Sequence, residues 1–318
     1  MGKRERVYIC ECWGRDGLQN IAKIIPTAEK TELINKMAHA GYARIETTSF
    51  SNPKQLPQFA DAEDVLRRIE RVPGVCYKAT TINERALDRA IAAKNAGYGP
   101  TEVTFMISVS ERHNIFNTKL NHAEHWAQFE RMAEKAHAND LKIIATLGTV
   151  YGCPLDGDVP PEQVWRMTEK YLTLAPEYIV LGDTTGAGNP LTVKEMFGEL
   201  IARRPHIKYV AHFHDTRGTG VANVMAAFAS GVRYFDCSLG GIGGQPAGYG
   251  HVYHQGFSGN VCSEDVICMF DEMGVDTGIS QEDAVALGLR AEEIIGAPQR
   301  SNVLRCGPVS HAPKPEYE

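Results

Sequence analysis

Short apolar segments alternate with amphipathic segments along most of the chain. The apolar segments favour β-structure and predict eight strands, while apolar residues three or four apart in the intervening segments predict helices. The predicted strands are residues 7–12, 43–47, 75–81, 102–109, 141–147, 178–181, 208–212 and 234–238. The predicted helices are residues 30–40, 60–69, 84–96, 122–138, 161–165, 192–203, 221–229 and 263–273.

Glycine or proline marks the ends of many of these helices. Gly41, Gly97 and Gly274 each follow a predicted helix, in the position where a left-handed residue commonly ends one. Pro205 follows another helix, and Pro161 stands where proline is tolerated, in a first helical turn. These residues make the alternation of strands and helices regular.

Eight strand–helix units in a chain of 318 residues predict an α/β fold, a (β/α)8 TIM barrel formed by one domain over residues 1–295. The alternative, an open doubly wound sheet, would need a glycine-rich phosphate turn after its first strand. Residues 14–17 read Gly-Arg-Asp-Gly, which is not that motif. We also expect a C-terminal helical extension from Gln281 and an irregular tail over residues 296–318.

The composition is that of an ordinary enzyme, with 43% hydrophobic and 23% charged residues. A net charge of -6 and a pI near 6.0 argue against nucleic acid as the main partner. The eight cysteines show neither C-x-x-C nor zinc-ribbon spacing, so we expect reduced thiols. Without a signal-peptide pattern or a bilayer-length apolar run, we predict a cytoplasmic protein that does not bind membranes.

The seventh predicted strand ends in two histidines separated by one residue. Side chains two apart on a strand leave the same face, so His212 and His214 would point the same way. Neutral imidazoles are good ligands for a divalent transition metal. Two ordinary histidines in a strand and loop are the alternative interpretation, because the motif is short.

Polar residues at the other strand ends favour the metal interpretation, because a barrel carries its chemistry there. Asp16 is the expected carboxylate ligand, since the first and eighth strands are neighbours in a closed barrel. The amide oxygen of Asn260 is the expected fourth ligand. Such a site suits Mg²⁺ or Mn²⁺ and leaves positions for the hydroxyl and carbonyl oxygens of a substrate. Arg15 would neutralise a developing enolate, although it could instead pair with Glu46.

Residues 15–20, Arg-Asp-Gly-Leu-Gln-Asn, preceded by Glu11, resemble the N-terminal signature of the 3-hydroxy-3-methylglutaryl-CoA (HMG-CoA) lyase family. That family belongs to a metallolyase group of TIM barrels that also contains isopropylmalate and homocitrate synthases. The resemblance runs in order from residue 5 to about residue 295. Further matching segments are residues 45–50, 53–54, 56–58, 60–61, 182–186, 212–216, 258–260 and 264–265.

The resemblance implies a metal held by Asp16, His212, His214 and Asn260. It implies cleavage of a 3-hydroxyacyl-CoA by a retro-Claisen step into an acyl-CoA and a ketone or keto acid, with Arg15 stabilising the enolate. It also implies a homo-oligomer, a dimer or a tetramer. The expected catalytic carboxylates are Glu46, Asp183 and Glu264, although Asp183 could instead cap a helix, and the expected substrate contacts are Gln19, Ser49, Thr216 and Gln245.

The loop after the eighth strand departs from the family pattern. Where the family has a catalytic cysteine in a G-G-C-P context, this chain has Gln245, which is not a comparable proton donor. The segment from there to residue 260 is also longer than in the family. We predict that His251 supplies the missing acid, with His254 and Tyr253 as alternatives. Otherwise the loop is a lid that has lost lyase chemistry.

Three other functions remain open from the sequence. A condensing acyltransferase would join acetyl-CoA to a 2-keto acid, and residues 108–113 resemble such synthases somewhat. A CoA-independent keto-acid aldolase is another enzyme, and a binding protein that retains the metal is the non-enzymatic alternative. The residues of the first signature favour the lyase, and a complete set of Arg15, Asp16, Glu46 and Asp183 argues against the binding protein.

Overall fold

A computed structural model describes residues 4–244 and 259–311. Eight parallel strands form a closed barrel in chain order, and the last strand pairs with the first. The predicted TIM barrel is therefore confirmed, and the open-sheet alternative is wrong. The strands are β1 (Tyr8–Glu11), β2 (Arg44–Ser49), β3 (Cys76–Thr80), β4 (Glu102–Ser108), β5 (Lys142–Gly148), β6 (Tyr178–Asp183), β7 (Tyr209–Phe213) and β8 (Tyr234–Cys237).

Helices cover the outside of the barrel. Within residues 4–244 and 259–311, none is long and apolar enough to cross a membrane. The α-helices are α1 (Thr27–His39), α2 (Ala62–Arg68), α3 (Glu84–Asn95), α4 (Glu111–Thr118), α5 (His122–Ala138), α6 (Pro161–Leu172), α7 (Pro190–Arg203), α8 (Gly220–Ala229), α9 (Ser263–Glu272), α10 (Gln281–Ile295) and α11 (Val303–Cys306).

Local capping explains where several helices begin, and it also explains one error. Asn121 starts α5 with a capping box in which Glu124 is the reciprocal partner. Ser110 accepts a hydrogen bond from the backbone N–H of His113 and so starts α4. The sequence pattern predicts no helix between the strand at residues 102–109 and the helix at residues 122–138, so α4 is absent from the prediction. The predicted turn at Pro161 also extends into a full helix.

The barrel interior holds an apolar cluster and several buried charges. Ile144, Val180 and Val210 pack together on neighbouring strands. Arg44 and Glu102 are the first residues of β2 and β4, and they form an ion pair over an Nη2–Oε2 distance of 2.7 Å with both side chains buried. Burying charges is tolerated only when they are paired, and further paired charges lie towards the carboxyl ends of the strands. The candidate site lies at those ends.

The C-terminal segment contacts the loop that follows β8. The backbone N–H of Arg300 donates to the carbonyl oxygen of Gly240 over 3.1 Å. Ser301 and Val303 both donate to the Asp265 carboxylate, over 2.7 and 2.9 Å. These contacts support the loop from outside the barrel, while the domain boundary near residue 295 stays a prediction.

Candidate metal centre and active site

Three of the four predicted metal ligands converge at the carboxyl ends of the strands. Asp16, His212 and His214 each place one ligand atom within 4.8 Å of the other two. The Nε2 atom of His214 lies 3.6 Å from Asp16 Oδ2 and 3.0 Å from the Nε2 atom of His212. All three side chains line one cavity of about 170 Å³.

The turn after β1 carries Asp16 to this position. Residues Trp13–Gly17 form one π-helical turn that is buried throughout. A Cβ at Gly14 would lie 2.8 Å from the carbonyl oxygen of Glu46, so only glycine lets the turn pack this closely on β2. The Asn20 side chain then donates to the carbonyl oxygen of Gly244 over 2.9 Å. The signature of residues 15–20 thus joins the first strand to the loop after β8.

The hydrogen bonds of the two imidazoles explain why their Nε2 atoms can face a cation. His214 Nδ1 lies 2.7 Å from the carbonyl oxygen of Thr184, which can only accept, so this nitrogen carries a proton. His212 Nδ1 lies 3.3 Å from the carboxylate of Asp236. In the neutral rings both Nε2 atoms then have lone pairs, and they face each other at 3.0 Å. A positive group between the two Nε2 atoms stabilises this arrangement. A proton on one ring would do so, because burial would lower the pKa of His214 but Asp16 raises it. A metal ion would do so while also using the adjacent Asp16 carboxylate.

The fourth predicted ligand, Asn260, adjoins this group. Its Nδ2 donates to Asp16 Oδ2 over 2.5 Å and to the carbonyl oxygen of Ile242 over 2.9 Å. Its Oδ1 is buried and has no hydrogen-bond partner among the described residues. An unsatisfied buried oxygen is costly, and a cation would satisfy it. Because the amide nitrogen faces Asp16, ligation through Oδ1 stays a prediction.

Arg15 holds the site carboxylates in their charged form. Its Nε donates to Glu46 Oε1 over 2.8 Å, and its Nη1 donates to Asp16 Oδ1 over 3.0 Å. Burial would raise the pKa of Asp16, but Arg15 and the two histidines hold that pKa well below its usual range. Burial would likewise raise the pKa of Glu46, and Arg15 and Lys78 lower it. Asp16 is therefore anionic at neutral pH.

Two residues of the site, Lys78 and Asp236, were not singled out from the sequence. Lys78 lies on β3, Asp236 lies on β8, and both line the cavity. Burial would raise the pKa of Asp236, but Lys78 and His212 keep it lower than usual. The available signal was one charged residue in the middle of an otherwise apolar predicted strand, because such a residue is rarely buried without a partner.

Several predicted site residues lie outside this cavity. Ser49 contacts the hydroxyl of Ser51 over 2.7 Å. Asp183 accepts hydrogen bonds from the backbone N–H groups of residues 187 and 188, so it fixes the turn after β6, whereas Asn189 is the residue that caps the next helix, α7. Glu264 accepts one from the backbone of Gly240. Thr216 packs beside Gly186. Gln19 does line the cavity, and catalytic or binding roles for the others stay predictions.

The acid predicted to replace the family cysteine lies outside the described residues. The described residues include neither Gln245, which stands in place of the family cysteine, nor the three candidate acids His251, Tyr253 and His254. Cys262 is described and is 9% exposed, and burial raises the pKa of its thiol well above the usual value. A buried thiol with a raised pKa is a poor proton donor.

Comparison with known proteins now identifies the family. The profile of the HMGL-like family matches residues 6–288. The chain belongs to the HMGL-like family. The (R)-citramalyl-CoA lyase of Chloroflexus aurantiacus is 35% identical over 96% of both chains. Hydroxymethylglutaryl-CoA lyase YngG of Bacillus subtilis (strain 168) is 38% identical over 95% of this chain and 97% of that protein.

A solved structure agrees with this family membership. The HMG-CoA lyase of Acinetobacter baumannii, in complex with coenzyme A and 3-methylmalate, superposes with a TM-score of 0.89 and 33% identity, over 98% of each chain. These relatives are metal-dependent carbon–carbon lyases, and the predicted carbon–carbon lyase is confirmed at that level. The resemblance seen in the sequence is thereby confirmed as well.

Proposed function

We propose that this protein is a Mg²⁺- or Mn²⁺-dependent lyase that cleaves a 3-hydroxyacyl-CoA of the HMG-CoA type into an acyl-CoA and a ketone or keto acid. The observation that carries this proposal is the pair of imidazole Nε2 atoms 3.0 Å apart beside the Asp16 carboxylate. Asp16, His212 and His214 would hold the ion, with Asn260 as the fourth ligand. Once bound, the ion would polarise the substrate's oxygens and lower the pKa of its hydroxyl.

Arg15 is the proposed stabiliser of the enolate. When a general base takes the proton of the hydroxyl and the carbon–carbon bond breaks, the hydroxyl carbon becomes the ketone carbonyl. The electron pair of the broken bond passes to the thioester fragment as an enolate. Arg15 lines the cavity, and its Nε is fixed by Glu46. A preorganised cation stabilises negative charge that develops in the transition state without having to move.

Proton delivery to the enolate carbon is assigned to His251, with His254 and Tyr253 as alternatives. The buried thiol of Cys262 supports this assignment, because its raised pKa makes it a poor proton donor. We expect His251→Ala or His254→Ala to reduce turnover far more than Cys262→Ala does. Steady-state kinetics that place all three variants near wild type would exclude an acid from this loop and leave the lid interpretation.

The type of substrate, one further substrate contact, the oligomeric state and the cellular location are finer parts of the proposal. A CoA thioester is the proposed substrate, because the Acinetobacter baumannii relative was solved with coenzyme A. Gln19 is a proposed substrate contact because it lines the cavity beside Arg15. A homo-oligomer, a dimer or a tetramer, and a cytoplasmic location stay predictions from the sequence.

The test is an acyl-CoA cleavage assay on protein freed of metal with EDTA. HMG-CoA and citramalyl-CoA are offered separately, before and after Mg²⁺ or Mn²⁺ is restored. We expect cleavage of at least one thioester only with added metal, and loss of that activity in His214→Gln. A parallel reaction of acetyl-CoA with 2-keto acids tests the condensing alternative. Cleavage that persists in EDTA, or condensation without cleavage, would contradict the proposal.

A further inference from the structure

An alternating series of charges surrounds the metal centre inside the barrel. One half begins at Asp16, continues through Arg15 and reaches Glu46, with contacts of 3.0 and 2.8 Å. The other half begins at His212 and continues to Asp236, with a contact of 3.3 Å. The two halves start from two members of the same ligand group, Asp16 in the turn after β1 and His212 on β7.

Lys78 is the residue that joins these two halves. Its Nζ lies 3.7 Å from Glu46 Oε2 and 3.6 Å from Asp236 Oδ2. Its side chain is 3% exposed. Glu46 lies beside Lys78 in the β2–β3 ladder, whereas Asp236 comes from β8, so the lysine reaches across the interior of the barrel.

We infer that Lys78 is a positioning residue for the metal centre, and this inference rests on the metal site of the proposed function. Its ammonium group holds Glu46 and Asp236 in place at once. Glu46 in turn aims the guanidinium of Arg15, and Asp236 fixes the ring of His212 with Nε2 towards the cavity. Partners behind a ligating histidine orient the ring, and losing them typically costs 10–100-fold in metal affinity.

The anchoring of the two carboxylates shows why they depend on Lys78. Glu46 Oε1 accepts from Arg15 and Thr80, whereas its Oε2 has no hydrogen-bond partner among the described residues and faces Lys78. Asp236 contacts Lys78 and His212 through Oδ2, and its Oδ1 likewise has no partner there. Removing the ammonium would leave two buried carboxylates near one another with no cation between them, which is a strongly unfavourable arrangement. Turning the Asp236 side chain away relieves that repulsion, but it also takes away the partner of His212 Nδ1.

Two other roles for Lys78 make opposite predictions. If Lys78 acted only through its charge, its removal would take a positive charge away from a cation site, so the site would bind metal more tightly. If it contacted the substrate from the wall of the cavity, its removal would raise KM and leave metal affinity unchanged. Of the three roles, only the positioning role predicts that removing Lys78 both weakens metal binding and lowers kcat.

The test is Mn²⁺ affinity, measured by titration calorimetry or by the EPR signal of free Mn²⁺, in full-length protein without substrate. We expect Lys78→Met to weaken Mn²⁺ binding about 10-fold or more, and Lys78→Arg to recover most of the loss. Thr104→Val is the matched control, because Thr104 lies on the same wall of the cavity but outside the charge series. Its Mn²⁺ affinity should equal that of wild type.

Asp236→Asn gives a second measurement if Lys78→Met does not fold. It removes the carboxylate that faces both Lys78 and His212, so by itself it should also weaken Mn²⁺ binding about 10-fold. Where Lys78→Met folds, combining the two changes should weaken Mn²⁺ binding no further than the stronger single variant does. Unchanged or tighter Mn²⁺ binding in Lys78→Met, or a rise in KM alone, would overturn the inference. If wild type itself bound no Mn²⁺, the metal site of the proposed function would fail.

Discussion

Replacement of Arg15 by lysine tests how the enolate is stabilised. Arg15 is 7% exposed, and it donates to Glu46 over 2.8 Å and to Asp16 over 3.0 Å while facing the cavity. Lysine keeps the charge but has one ammonium group on a flexible stem in place of a planar fork. It cannot hold both carboxylates and meet a substrate oxygen at the same time. The perturbation therefore changes geometry and leaves the net charge as it was.

The expected loss can be estimated from the lost contacts. Losing one preorganised donor to a developing oxyanion costs about 2.7–4 kcal/mol, or a 10²–10³-fold lower kcat. Loss of a charge-assisted hydrogen bond to a buried carboxylate costs about 1.5–3 kcal/mol of stability. For a chain of this size that would lower Tm by roughly 2–4 °C for each kcal/mol. A drop in stability of this size leaves the protein folded at 25 °C, so it does not explain a lower kcat.

Arg44→Lys is the matched control. Arg44 is 4% exposed and donates twice to Glu102 at the other end of the barrel interior. We expect it to lower Tm by a similar amount while kcat for acyl-CoA release stays near wild type. A kcat for Arg15→Lys within about threefold of wild type, with metal saturating, would refute the role given to Arg15. Equal kcat losses in both variants would show that the effect is structural.

Two further predictions concern stability around the site. Burial raises the pKa of Glu11 from 4.5 to about 7, so its contribution to stability is present below about pH 4.5 and is lost as pH rises through 7. The free energy of unfolding of wild type, measured in urea and compared with that of Glu11→Gln, should fall by about 3 kcal/mol between pH 5 and pH 8. The same difference in free energy of unfolding between the two proteins at both pH values would contradict this. Gly243 has a φ of +101°, and a Cβ there would lie 2.5 Å from the Asp16 carbonyl oxygen and 2.6 Å from Asn260 Nδ2. Gly243→Ala should therefore weaken Mn²⁺ binding. The control is Gly74→Ala, which has a φ of +86° and no atom within 4 Å of the added Cβ, and which should cost only about 1 kcal/mol of stability. Unchanged Mn²⁺ affinity in both variants would count against the packing described for Gly243.

Much of the fold could be predicted from periodicity, and the limits have physical causes. Each strand is an apolar segment between turn residues, so all eight were located to within a few residues. Helix α4 was missed because its signal is one capping serine, Ser110, in a polar segment that also fits a strand end. The buried residues of α4 are the polar His113 and Asn114, so the helix has no apolar stripe that periodicity could reveal.

The site was predictable where chemistry depends on spacing along the chain. His212 and His214 share a face because of strand alternation, and Asp16 follows the strand that must neighbour the last one. Lys78 and Asp236 could not be predicted to meet, because they lie on strands that are not adjacent in the barrel. Their contact depends on how far a lysine side chain reaches across the interior. Strand order alone carries no information about that distance.

The central claim is that Asp16, His212 and His214 hold one divalent ion. Crystals grown with Mn²⁺ and measured at a wavelength where manganese scatters anomalously test it directly. We predict one strong anomalous peak roughly 2 Å from an Asp16 carboxylate oxygen and from the Nε2 atoms of both histidines. A peak at the other possible ligand group, formed by Cys10, Cys12 and Asp236, or none among these side chains, would contradict the claim.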